Sequence, residues 1–264
     1  MGQQRILVRG VGDVGSAVAH ELFRAGLRVV LHDVPRPAHT RRGMAFTDAL
    51  FGGKAQLAGI FAKCSHQPEH LRCMLGCGRA IPVMAGNIDY VVSAVAPDVM
   101  IDARMRKLVV PELQRHLARL TIGLGPNFIA GEQTDIAIET AWGDDLGQVI
   151  RQGAPRPLEG EPQEIAGHMR DRYVYAPVAG VFLTAHEIGM RVVAGQPIAG
   201  IGGVELAAPL DGRLRGLTHS GVEVASGTKV IEIDPRDTDA DIYGIGERPR
   251  RIALGVLEAL RVSA

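Results

Sequence analysis

The chain has 264 residues, 46% of them hydrophobic, and its 29 basic side chains balance 29 acidic ones. That is apolar material for one large core or two ordinary ones, and zero net charge excludes the global positive field that draws a protein to nucleic acid or an anionic membrane. Three cysteines make no disulfide framework, and no run approaches about 18 apolar residues, so a soluble, cytoplasmic protein is expected.

The first stretch, Arg5 to Asp33, reads strand, glycine turn, helix, strand. Ile6, Leu7 and Val8 are a short apolar run, and Gly10, Gly12 and Gly15 follow in G-x-G-x-x-G spacing. Gly10 permits a tight turn, Gly12 lacks a Cβ that would hold off a pyrophosphate, and Gly15 lets the helix pack closely on the strand. The free amides of Asp13, Val14 and Gly15 at the helix start, with the positive end of its dipole, suit an anion. Asp33, ending the second strand, is placed to accept ribose hydroxyls. Asp13 lies inside the loop, where a carboxylate would repel a pyrophosphate, and is read as an N-cap.

After Asp33 comes a loop with Arg36, Arg41 and Arg42. Asp33 favours NAD, whereas the arginines could hold the 2′-phosphate of NADP, and the sequence leaves both open. Gln56 to Lys63 reads as a strand, Pro68 to Cys77 as a helix and Ala80 to Met84 as a strand. Cys64, His66, His70, Cys73 and Cys77 crowd into 14 residues. No C-x-x-C pair or second ligand pair accompanies them, so the expectation is a packed helix face and no metal. Asn87 to Val95 suits a capped helix or a strand. Val99 to Ala103 reads as a strand ending near Asp102, Pro111 to Leu120 as a helix, Thr121 to Leu124 as a strand, and Thr134 to Glu139 as another. The turn between the last two holds Gly125, Pro126 and Asn127. Alternating strands and helices predict a Rossmann-like, mostly parallel sheet with helices on both faces. Its ligands would lie beyond the carboxyl ends of the strands, where Gly10 to Gly15, Asp33, Asp102, Gly125 to Asn127 and Glu139 gather.

Residues 151–172 are polar and rich in proline and glycine, and read as a linker. Beyond them Ala176-Pro177, Gly180, Gly189, Val192 and Gly195 recur as Ala208-Pro209, Gly212, Gly221, Val224 and Gly227. One displacement of 32 residues relates every pair, the mark of a structural duplication. The two copies are expected to interlock as a small all-β barrel-sandwich. The pattern is similar to the biotinyl and lipoyl carrier domains, in which a lysine at a hairpin tip takes the cofactor. Here the tip is Ile201-Gly202-Gly203-Val204 and the segment's lysine is Lys229, in its last strand, so no covalent biotin or lipoate is expected. A helix from Arg250, with Ile252, Val256, Leu257 and Leu260 on one stripe, is expected to pack back. The expected divisions are 1–150 for a nucleotide-binding domain, 151–172, 173–236 for the duplicated domain and 237–264 for the tail.

The chain also resembles the YqeB-type accessory proteins of the selenium-dependent molybdenum hydroxylase system, related in role to the XdhC/CoxF maturation factors. The resemblance rests on I-L-V-R-G-x-G-D at the N-terminus, R-R-G-M-A-F-T-D-A-L at 41–50, I-D-A-R-M at 101–105 and G-L-G-P-N-F-I-A-G at 123–131. I-E-T at 138–140, D-L-G-Q-V-I at 145–150, the duplicated segment and G-V-L-E-A-L at 255–260 extend it. Asn127 departs from the family's pattern, standing where glycine is usual, and so does Ala141-Trp142-Gly143-Asp144, standing where Met-Arg-Gly-His is usual. The resemblance implies an accessory factor that matures a client molybdenum hydroxylase of the xanthine dehydrogenase type. Molybdopterin cytosine dinucleotide, which carries a pyrophosphate, would then be an alternative to NAD or NADP in the glycine loop. The rival expectation is an NAD(P)-dependent oxidoreductase. No catalytic residue stands out: Lys107 and His116 read as solvated surface. Partners are expected to be the client enzyme and a dinucleotide, with no nucleic acid and no membrane, and a homo-oligomer is compatible.

Overall fold

The computed structural model describes residues 4–106, 109–158, 162–236, 238–239 and 242–262, which places Lys107 outside the described residues. Its first elements are β1 (Arg5–Arg9), α1 (Asp13–Arg24), β2 (Arg28–Asp33), α2 (Ala49–Gly52), β3 (Lys54–Leu57), β4 (Ile60–Cys64), α3 (Pro68–Cys77) and β5 (Ile81–Ala85). They continue as α4 (Ile88–Val95), β6 (Val99–Asp102), β7 (Leu120–Leu124), β8 (Ile136–Ile138) and β9 (Val149–Ile150). Next come β10 (Tyr173–Tyr175), β11 (Gly180–Thr184), β12 (Arg191–Val192), β13 (Pro197–Ile201), β14 (Val204–Ala207), β15 (Gly212–Leu217), β16 (Val222–Val224), β17 (Lys229–Asp234) and α5 (Glu247–Val262). The chain divides into two compact units. One comprises residues 1–35, 45–159 and 245–264, and the other residues 36–44 and 160–244.

The first unit is built on a nine-stranded sheet in the order β3-β4-β5-β2-β1-β6-β7-β8-β9. Its inner pairings are parallel, while β3–β4 and β8–β9 are antiparallel. The doubly wound Rossmann-like sheet read from the sequence is corrected here to a large mixed sheet. Among the described residues no helix joins β6 to β7 or β7 to β8, so the alternation of strand and helix stops halfway across. The helix expected over Pro111 to Leu120 is absent because tertiary polar bonds override its local pattern. The Gln114 amide N–H donates to the Gln133 carbonyl and the Gln114 side chain donates to Asp102, at 2.8 and 2.7 Å. The single strand read at Gln56 to Lys63 is a hairpin, turned at Ala58 and Gly59 with φ of 44° and 84°. Positive φ at both central residues matches the twist of the flanking strands. Asn87 resolves the ambiguity at 87–95 in favour of a helix, since its side chain accepts from the amides of Asp89 and Tyr90.

Apolar side chains cover both faces of this sheet. Ile6, Val8, Leu31 and Ile101 meet Ala17, Val18 and Leu22 of α1 and Ile252, Val256 and Leu260 of α5. Leu7, Val30, Met84 and Met100 meet Leu71 and Leu75 of α3 and Val91 and Val95 of α4. The face of α3 that carries His70, Cys73 and Cys77 is exposed. The packed-face expectation for those three residues is corrected, because α3 buries Leu71 and Leu75 instead.

α5 touches the loop after β8 at Gly255, where a Cβ would lie 1.9 Å from the Gly147 carbonyl oxygen. Gly255→Ala should gain helix propensity yet lose more to this collision, for a net cost of about 1–3 kcal/mol. Chemical unfolding of the variant checks it; a more stable variant would contradict the close approach.

The second unit holds two four-stranded antiparallel sheets, β10-β17-β15-β12 and β14-β13-β11-β16. The repeated glycines take matching backbone angles: φ is 157° and 155° at Gly180 and Gly212, 87° and 83° at Gly189 and Gly221, and 81° and 79° at Gly195 and Gly227. β11 pairs with β13 and β16, and β15 pairs with β17 and β12. Each copy thus keeps its own third strand and borrows the other's second. The carrier-type module expected from the motif spacing is corrected to this pair of sheets, whose unit also draws in residues 36–44. Gly216 makes room for that segment, since a Cβ there would meet the Cβ atoms of Glu232 and Thr40 at 2.8 and 3.1 Å.

Candidate functional site

The glycine turn is tight. Gly10 has φ of 110°, its N–H donates to the His32 carbonyl at 2.7 Å, and a Cβ on it would lie 2.8 Å from the Ala103 carbonyl oxygen. A Cβ on Gly15 would lie 1.9 Å from the Gly10 carbonyl oxygen. Gly12, not Asp13, is the N-cap residue of α1, in extended backbone and with no side-chain cap bond. Asp13 is the first helical residue and its Oδ1 accepts from the Val14 amide. Asp33 is buried; its Oδ2 accepts from the Val11 amide and its Oδ1 from the Val34 amide, each at 2.8 Å. Each Asp33 oxygen thus braces the glycine loop or its sequel, and Asp13 adds a negative charge where a diphosphate would sit. Arg36 belongs to the second unit, where it donates to the Ser220 carbonyl.

Asp102 lies at the centre of a different arrangement. In the parallel register Arg9 pairs with His32 on one side and Asp102 on the other. Side chains of one row share a face, so these three stand side by side at the carboxyl ends of β2, β1 and β6. Arg104 donates to both oxygens of Asp102, and the Gln114 side-chain amide donates to Oδ2. Glu112, on the irregular connection after β6, receives three guanidinium groups. Arg9 Nη1 donates to Oε1 at 3.0 Å, Arg104 Nη2 donates to the same oxygen at 2.6 Å, and Arg106 Nη2 donates to Oε2. Arg9 and Asp102 are buried, whereas the Glu112 side chain is 46% exposed.

Charge follows this geometry. Burial raises the Asp102 carboxyl's pKa, but hydrogen bonds from Arg104 and Gln114 and the charges of Arg104 and Arg9 outweigh it, leaving Asp102 below its ordinary value. Partial burial is likewise outweighed at Glu112 by the bonds from Arg106 and Arg104, which hold it well below the usual carboxylate range. Burial, then the Arg9 charge, pushes the His32 imidazole down. Three buried side-chain atoms of this row and its neighbour have no partner: Arg9 Nε, His32 Nδ1 and Gln114 Oε1.

Gly125 and Asn127 turn the chain after β7 with φ of 104° and 72°, and Pro126 between them is buried. Asparagine tolerates the left-handed region, which explains how Asn127 replaces a glycine; its side-chain amide donates to the Val109 carbonyl. Glu139 is buried and accepts from the amides of Thr140, Ala141 and Arg156, so it organises the turn after β8. A cleft of about 440 Å³ beside that turn is lined by Asp144, Asp145, Arg251 and Glu258, away from the predicted residues. Among the described residues no group of three or more His, Cys, Asp or Glu side chains could hold a metal ion, and no helix is long and apolar enough to cross a membrane.

A mixed sheet with helices on both faces and arginines gathered at its strand ends defines an α/β protein. In sequence the chain is similar to the uncharacterized protein YqeB of Escherichia coli (strain K12), 36% identical over 259 residues that cover 98% of this chain and 48% of the relative. The chain spans about half the length of the relative it matches. No family model matches. Similar solved structures include the succinylglutamatedesuccinylase/aspartoacylase of Rhodobacter sphaeroides, at 15% identity and a TM-score of 0.27 over 89% of this chain and 86% of that one. The ectoine utilization protein EutE (DoeB) of Ruegeria pomeroyi is another, at 14% identity and a TM-score of 0.25 over 88% and 85%. At such scores these likenesses carry no conclusion about activity. The two roles expected from the sequence, a molybdenum hydroxylase maturation factor and an NAD(P)-dependent oxidoreductase, are not carried further: Asp33 is engaged by two backbone amides, and Asp13 sets a carboxylate in the glycine loop.

Proposed function

We propose that the first unit binds a small oxyanion, a carboxylate or phosphate group, on the arginines at the carboxyl ends of β1 and β6, with Glu112 as an internal stand-in for it. One observation carries the reading: three guanidinium groups converge on a half-exposed carboxylate borne by an irregular segment. Asp102 already balances one of them from within the core. A planar guanidinium fork is the natural partner of such an oxyanion, and Glu112 is the most solvent-accessible member of the cluster. Carboxyl strand ends are also where open α/β sheets place ligands.

Isothermal titration with inorganic phosphate tests this. Glu112→Gln removes the competitor and is expected to bind phosphate about tenfold more tightly than the wild-type chain. Arg104→Met should lose that binding. Equal affinities in all three proteins would overturn the proposal.

A further inference from the structure

We infer that the outward face of α3 carries a site for a soft monovalent metal ion, copper(I), held by the sulfur atoms of Cys73, Met74 and Cys77. α3 buries Leu71 and Leu75 on its inner side. The opposite stripe, at i, i+3, i+4 and i+7 spacing, is His70, Cys73, Met74 and Cys77. An outward helix stripe ordinarily carries charged or polar side chains, and free cysteine ranks among the most buried residue types. Here Cys73 and Cys77 are both exposed, and Met74 is half-buried. The stripe thus offers three sulfurs, one imidazole and no oxygen ligand. Thiolate and thioether donors together select copper(I), whereas zinc takes its ligands from cysteine, histidine and carboxylates.

Cys77 is the hub of the arrangement. Cys73 precedes it by four residues and Met74 by three, and helix side chains at those spacings have Cβ atoms about 5–6 Å apart. Metal–thiolate bonds near 2.3 Å, as with zinc, place two sulfurs about 4.6 Å apart across an ion, a separation that turning the exposed thiols about χ1 meets. Each thiol gives up its proton to solvent as its sulfur bonds the ion, and Met74 adds a neutral third donor. His70, Cys73 and Cys77 are not gathered as a three-ligand group as they stand, so the sulfurs and not the imidazole define the site. The approach is open, since a Cβ on Gly76 or on Gly78 would meet nothing within 4 Å. Cys77 also ends α3, where the helix dipole favours positive charge.

The test is anaerobic titration of the reduced, metal-free full chain with copper(I) buffered by a chromogenic chelator, followed by X-ray absorption at the copper edge. The wild-type chain should take up one ion and show sulfur neighbours. Cys73→Ser and Cys77→Ser should each weaken uptake at least about a hundredfold. Met74→Leu, which nearly conserves volume, should weaken it about tenfold, and Cys64→Ser should bind like the wild-type chain. Cys73→Ser or Cys77→Ser competing with the chelator as well as the wild-type chain would overturn the inference. So would a wild-type chain that leaves the copper with the chelator or shows only nitrogen and oxygen neighbours, readings that need no variant to fold.

Discussion

Glu232→Gln is expected to cost about 3–5 kcal/mol of stability, because the substitution leaves a ring of cations buried around a neutral amide. The carboxylate ties together three stretches of the second unit that are far apart in sequence: Arg41 from residues 36–44, Arg172 ahead of β10, and Arg215 at the irregularity between β15 and β17. Glutamine keeps the volume but cannot carry the charge that four cations share. Burial alone would raise the Glu232 carboxyl's pKa, yet Arg41, Lys229 and Arg215 hold it well below its ordinary value. Thermal unfolding should show the loss as a drop in Tm on the order of 10 °C. A change under about 1 kcal/mol would place Glu232 among surface ion pairs, and the account of the second unit would fail.

Asp102→Asn should be nearly as damaging in the first unit, at about 3–5 kcal/mol at neutral pH, and it should also blunt acid unfolding. The folded Asp102 has a lowered pKa, as do Glu112 and Glu232. The stability they contribute is complete above the unfolded carboxylate value of about 4 and is lost as pH falls through the folded values. His32 is depressed too, mainly by burial, so its contribution is complete above the unfolded imidazole value of about 6.5 and declines below it. Two limbs are therefore expected in unfolding free energy against pH: a shallow one beginning near 6.5 and a steep one below about 4. Asp102→Asn should keep the first and flatten the second. Denaturant unfolding at a series of pH values checks this, and an unchanged acid limb in the variant would contradict it.

The local features were legible because their signals are local. Gly10 and Gly15 sit where a Cβ would strike backbone, Asn87 caps the helix that follows it, and glycines one displacement apart share their backbone angles. The arginine rim was not legible. Arg9 and Glu112 are 103 positions apart, and Arg41 and Glu232 are 191 apart. Residues 111–120 carry a helical pattern that hides Glu112 and Gln114 as ligands of Arg104 and Asp102. The one usable clue was I-D-A-R-M, which holds Asp102 and Arg104 two residues apart, together with Arg9 closing the apolar run Ile6 to Val8 of β1. Asp33 misled for the opposite reason. Its position matched a ribose acceptor, but the sequence does not reveal that the amides of Val11 and Val34 take its oxygens.

A crystal of the chain soaked in selenate and measured at the selenium edge tests the central claim most directly, since selenate mimics phosphate and scatters anomalously. The expected result is a peak within hydrogen-bond reach of Arg104 and Arg106, with the Glu112 carboxylate turned away. A map without a peak there, in which Glu112 still receives Arg9, Arg104 and Arg106, would mean that these arginines only fasten the chain to itself.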